Sequence, residues 1–184
     1  MDEKEQQDEP AWKEILSWVL TFAFAILAAL LIKNYIIINA NVPSGSMENT
    51  IMTGDRLIGN RLAYLNKNPQ RGDIIIFHYP DNEEEIYVKR VIGLPGESIS
   101  IMDGKIYING SETPLVEPYL KEEWTVATGP YTFEIPQGCY LVMGDNRNDS
   151  WDARYWTNQY VQEDKILGKA VFTYWPFADF GKLN

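Results

Sequence analysis

The sequence predicts a mainly β protein: an antiparallel β domain, coiled or partly closed, behind one N-terminal membrane-spanning α-helix. Three observations predict it. Residues Ile15 to Ile32 run 18 positions without a charge. From about residue 35 onward the pattern becomes short alternating runs cut by Gly, Pro and Asx-Gly turns. No stretch beyond residue 40 keeps a long 3.6-residue period. The length, 184 residues, suits one domain of roughly 150 residues plus a remainder.

In chain order, residues 1–14 come first, with six acids and two lysines. They are too polar to build a core and read as an acidic tail. Residues 15–33 read as an anchor helix. At about 1.5 Å per residue the 18-residue run spans roughly 27 Å, close to the hydrocarbon thickness of a bilayer. Trp12, Trp18 and Tyr35 suit the two interfaces, and Lys33 can reach headgroups. A cleaved signal peptide would want a basic flank and a shorter core. A buried core helix is the other alternative. The acidic flank and the length favour a permanent anchor, and the lysines give no orientation.

Strands are expected at Tyr35–Asn39, Arg56–Asn60, Asp73–Tyr79 and Glu85–Ile92, the last two flanking the polar loop PDNEE. Ser98–Met102 and Lys105–Ile108 flank Asp103-Gly104, a pair suited to a two-residue hairpin turn. Further strands are expected at Tyr131–Ile135, Cys139–Met143 and Ile166–Tyr174. This is a barrel or a coiled pair of sheets.

Composition excludes several functions. With 26 acids against 16 basic residues the formal charge is −10, and no Lys/Arg cluster marks a nucleic-acid site. One Cys, Cys139, permits no internal disulfide and reads as a packed thiol. One His and one Cys supply no zinc set, so neither metal nor cofactor is expected.

Three places can carry chemistry. Pro43-Ser44-Gly45-Ser46-Met47 lies some ten residues past the apolar run, with Val42, Met47 and Ile51 to line a small cleft. Such Ser-Gly-Ser runs also fill ordinary loops. A serine nucleophile needs a base, and two residues compete. His78 sits in a strand ending at Pro80 and reads more readily as a packed strand residue. Lys89 sits in YVKRV, where alternation puts Tyr87, Lys89 and Val91 on one face and Ile86, Val88 and Arg90 on the other. One of the two adjacent cations must therefore point among apolar neighbours. A snorkelling lysine would bury only its stem. A desolvated one would lose its proton more easily and could serve a hydroxyl as base. The third place is Gly144 to Arg154, GDNRNDSWDAR. It fails calcium-loop spacing, with Ser150 at position 6 and Trp156 at position 12. Two of its aspartates and its two arginines are expected to pair with one another and stiffen a turn behind a site.

Taken together, these blocks resemble the type I signal (leader) peptidases, membrane-bound Ser/Lys endoproteases. PSGSM at 43–47 follows a membrane anchor. GDRLIGNR at 54–61 comes next. RGDIIIFHYP at 71–80 with YVKRVIGLPGE at 87–97 resembles the lysine box, and GDNRNDSWDAR at 144–154 the last box. GKAVFTYWP at 168–176 is similar to the closing strand. Two positions depart from the pattern: Asn49 stands where a proline is usual and Ala153 where a serine is usual.

The resemblance implies roles. Ser46 is the nucleophile and Lys89 its general base. Ser44 adds a hydroxyl to an oxyanion hole with the Ser46 backbone N–H. Ser150 orients the Lys89 ammonium, and Asp152 with Arg154 braces that loop. Asp145 and Arg147 are structural beside them. Val42, Met47, Tyr87 and Val88 line shallow pockets for small residues. The implied substrates are secretory preproteins cut after A-x-A-like sites. The implied place is the cell membrane, with the tail cytoplasmic and residues 34–184 on the exported side. A single anchor and compact catalytic region resemble the Gram-positive bacterial form. An anchored β domain that binds without cleaving is the rival reading. A self-cleaving Ser-Lys regulator would want a DNA-binding segment, and a soluble ligand-binding barrel leaves the apolar run unexplained.

Overall fold

The computed structural model describes residues 11–183. Most of the acidic stretch, residues 1–10, lies outside them. Helix α1 spans Ala11–Tyr35. Its apolar side chains are exposed all round, Phe24 at 72 % among them. An apolar surface on every side is consistent with a membrane span. It is long and apolar enough to cross a membrane. Glu14 in its first turn and Lys33 in its last complement the helix dipole. The helix outlasts the apolar run: Tyr35, expected in a strand, is its last residue, and Ile36 N–H still donates to Ile32 O.

From Ile37 onward the chain forms a separate compact unit. Its strands are β1 (Ile37–Asn41), β2 (Arg56–Asn60), β3 (Ile74–Tyr79), β4 (Asn82–Gly93), β5 (Ser98–Met102), β6 (Lys105–Ile108), β7 (Tyr131–Glu134), β8 (Cys139–Met143), β9 (Val161–Gln162), β10 (Ile166–Trp175) and β11 (Gly181–Lys182). All their pairings are antiparallel. One sheet runs β1-β2-β10-β3-β4-β8-β9, with β11 on β10, and a smaller one runs β6-β5-β7. The antiparallel class expected from the sequence is the class observed. The PDNEE loop shrinks, because β4 begins at Asn82, which pairs with Tyr79. Two strands escaped the sequence reading, β9 and β11, each two residues long and too short to show a period.

Two cores explain the unbroken apolar run in β3. Ile75 and Phe77 enter one, with Ile92, Ile99, Phe133 and Tyr140. Ile74 and Ile76 enter the other, with Ile38, Met47, Ile51 and Leu57. A strand buried on both faces needs no polar alternation. The second core lies under the turn that carries Ser46. Between β6 and β7 the chain runs irregularly through residues 109–130.

Candidate active site

Ser46 sits in a 3₁₀ turn, Gly45–Met47, just past β1. Apolar anchoring sets the turn in place: Met47 and Ile51 are fully buried in the second core. Backbone bonds pin its base, with Val42 N–H donating to Asp55 O and Gly54 N–H to Val42 O.

Lys89 approaches from β4. Its side chain is 3 % exposed, and Nζ lies 2.5 Å from Ser46 Oγ. Burial pulls the Lys89 pKa down to about 8; nearby Asp152 opposes this and Arg154 assists it. Its neighbour Arg90 is also buried. The sequence argument required one of the two cations to face apolar surroundings; the structure buries both and treats them differently. Arg90 Nε and Nη2 donate to the two oxygens of Asp145 at 2.8 and 2.7 Å, and Nη1 donates to Gly72 O. Lys89 makes no ion pair within 4 Å among the described residues.

The loop after β8 lies behind this pair because Arg90 is in register with Met143. Asp152 accepts from Arg154 Nε at 2.8 Å and from Gly144 N at 3.1 Å. Asp152 and Arg154 thus pair as expected. Asp145 and Arg147 do not: Asp145 takes Arg90, and Arg147 takes Glu117. Each finds its partner outside the loop because the strand register and the 109–130 segment bring an opposite charge closer. Thr50 Oγ1 also donates to Asp145, at 2.5 Å.

Ser44 Oγ stands 3.4 Å from Ser46 Oγ, at the edge of hydrogen bonding. Ser150 Oγ is buried and makes no hydrogen bond, to Lys89 or any other described residue. It lies instead against Gly144. A Cβ at position 144 would sit 2.2 Å from Ser150 Oγ and 2.3 Å from Ser46 O, so only glycine fits there. Asn146, to which the sequence reading gave no role, holds the backbone of the Ser46 turn: its N–H donates to Ser46 O and its Nδ2 to Gly45 O. Glu117 was missed as well, since nothing marks one acid in a polar, aperiodic segment.

A cavity of about 370 Å³ opens on Ser46 and Lys89. Val42, Met47, Tyr87 and Val88 all line it. The other candidate base, His78, lies outside that lining, and its Nδ1 is 2.7 Å from Glu83 O. A hydroxyl against a desolvated amine, beside a narrow apolar cleft, is equipped for nucleophilic attack on an acyl group.

The chain is similar to several known proteins. The family model described as signal peptidase, peptidase S26, matches residues 15–175. The probable signal peptidase I-2 of Synechocystis sp. is 35 % identical over 186 residues, covering 98 % of this chain and 81 % of that protein. Signal peptidase IB of Staphylococcus aureus (strain COL) is 34 % identical over 184 residues, covering 91 % and 93 %. A crystal structure of a signal peptidase I from Enterococcus faecalis V583 is 36 % identical. It covers 56 % of this chain and 97 % of that one, with a TM-score of 0.47.

Proposed function

The chain belongs to the signal peptidase family, peptidase S26, and on that premise we propose that it removes signal peptides from exported preproteins with a Ser46–Lys89 dyad. The observation that carries this reading is the 2.5 Å approach of a buried lysine to a serine hydroxyl.

The chemistry runs as follows. With its pKa near 8, about a tenth of Lys89 is neutral at pH 7. The neutral amine accepts the Ser46 proton as Oγ attacks the scissile carbonyl. Ser44 Oγ and the Ser46 N–H stabilise the developing oxyanion. The Lys89 ammonium returns the proton to the leaving amine, and the C–N bond breaks. The same amine then deprotonates water, which hydrolyses the acyl-Ser46 ester.

Substrate selection follows from the cleft. Val42, Met47, Tyr87 and Val88 line it with apolar groups, a surface suited to the uncharged side chains of small-x-small sites. From Tyr87 to Lys89 the described strand pairings of β4 are to β3 alone. An extended substrate can therefore add to its other edge by main-chain bonds. Helix α1 anchors the chain in the cell membrane with its N-terminus cytoplasmic and residues 34–184 on the exported side, where cleavage sites emerge. Lipid bilayer and preproteins are thus its partners. No cofactor takes part in these steps.

The test is cleavage of a model preprotein by the full-length protein in detergent, beside Ser46→Ala and Lys89→Ala. Cleavage after the A-x-A site that disappears in both variants is expected. Cleavage that survives Ser46→Ala rejects the dyad, and an inactive, folded wild type rejects the peptidase reading.

A further inference from the structure

The irregular segment 109–130 contributes no side chain to the cavity. It nevertheless touches both loops that form the site. We propose that this segment is a clasp that locks the Ser46 turn against the loop after β8, with Glu117 as its positioning residue. The proposal rests on the peptidase reading for its catalytic consequence only.

On the nucleophile side the clasp grips the two residues after Met47. Lys121 Nζ donates to Glu48 Oε2 at 2.7 Å, and Asn49 Nδ2 donates to Tyr119 O at 3.2 Å. Asn49 has φ of +84°. A proline, fixed near −65°, cannot take that conformation, whereas asparagine tolerates it. At Asn49 the segment thus adds an outside hold to the turn's own backbone bonds and apolar anchors.

On the other side Glu117 accepts from Arg147 Nη1 at 3.1 Å and Nη2 at 2.5 Å. Both side chains are nearly inaccessible, at 5 % and 1 %. A pair that deep is costly to break. Tyr119 donates to the same carboxylate and sets its ring 4.0 Å from the Arg90 guanidinium. The Trp124 ring lies 4.9 Å from the guanidinium of Arg147 and 5.2 Å from that of Arg154. Asn148 Oδ1 accepts from Thr125 N and Val126 N.

These contacts lead to the reacting atoms in few steps. Arg147 Nε donates to Gly144 O, and Arg154 Nη2 to Arg147 O. Asn146, between them, donates to Ser46 O and Gly45 O. Releasing Glu117 frees the loop that holds both the nucleophile's carbonyl and the Asp152–Arg154 pair beside Lys89. A misplacement near 1 Å at such a site costs about a hundredfold in rate.

The test compares full-length wild type with Glu117→Gln and with the exposed-side double variant Asn49→Gly/Lys121→Ala. Val116→Ala, on the same segment and 80 % exposed, is the control. Amide exchange at Asn146 and peptide cleavage across pH are both read. In Glu117→Gln, Asn146 is expected to exchange at least about tenfold faster, with kcat per folded molecule down about tenfold and KM within about twofold. The pH midpoint is expected to rise above about 8, since a loosened loop admits water to Lys89. The double variant is expected to show the same changes at about threefold, and it serves if Glu117→Gln does not fold. A fall in thermal stability alone, with exchange, kcat and midpoint unchanged, overturns the proposal, as does an equal loss in Val116→Ala. The exchange measurement needs no cleavage, so an inactive wild type would reject the peptidase reading and leave the clasp still decided by it.

Discussion

Lys89 and Arg90 are neighbours on one strand, buried to the same degree, yet the regions around them solve burial in opposite ways. Behind the strand, Arg90 enters a layer where Asp145, Asp152, Arg154, Arg147 and Glu117 leave each charge with a partner. On the cleft side, Lys89 has a hydroxyl as its neighbour and no direct counter-ion among the described residues. Pairing gives the buried Arg90 guanidinium a direct partner in Asp145. Desolvation without pairing brings Lys89 within reach of neutrality. The difference shows how adjacent cations divide into a paired brace and an unpaired, desolvated amine, the proposed base, through their surroundings alone.

The sharpest break of the comparison is Lys89→Met, which keeps the volume and removes the amine. Activity is expected to fall at least about a thousandfold, while stability rises. The sign follows from linkage. Unfolded, the lysine holds its proton up to 10.5; folded, only to about 8. Between those values the unfolded state binds more protons, so wild-type stability rises with pH. Below pH 8 the full penalty stands, about 3 kcal/mol. Denaturation of wild type across pH 7–11 should show this slope, and Lys89→Met should lack it. Activity rises through the same midpoint, falling about tenfold per unit below it.

Arg90→Ala is the opposite perturbation. It leaves Asp145 buried without its cation, and a loss of about 3–5 kcal/mol is expected in urea denaturation. Equal stability effects for Arg90→Ala and Lys89→Met would erase the distinction between brace and base.

Gly144→Ala probes where the two regions touch. The new Cβ would strike Ser46 O and Ser150 Oγ, displacing the backbone of the Ser46 turn. The expectation is a fall in kcat of about a hundredfold, read in steady-state kinetics. The smallest effect belongs to the exposed Lys165–Glu83 pair on the domain surface. Lys165→Ala should leave melting temperature and activity unchanged, because water screens such a pair.

Much of the fold was legible in local pattern. Asp103-Gly104 forms the expected hairpin turn, with both residues at positive φ and Met102 opposite Lys105. The helix was legible from its composition, although its end was not, because hydrogen bonding carries a helix past its last apolar residue. At the candidate site, YVKRV made a buried cation legible. The partners of the charges in GDNRNDSWDAR were less so: spacing suggested that all four would pair among themselves, and only Asp152 and Arg154 do.

Sequence by itself determined the elements: an apolar helix, short alternating strands, a tight serine turn, a lysine among apolar residues. Each is a matter of neighbours a few residues apart. That Ser46 and Lys89 meet was decided only by the tertiary structure. In the sheet order β4 lies four places from β1, which is roughly 19 Å across a flat sheet at about 4.8 Å per strand. The 2.5 Å contact is made because the chain leaves β1 and carries Ser46 off that strand in the turn Gly45–Met47, while the side chain of Lys89 reaches toward it from β4. Strand order and the packing of Met47 and Ile51 into the second core set that approach, and no local run of residues records it.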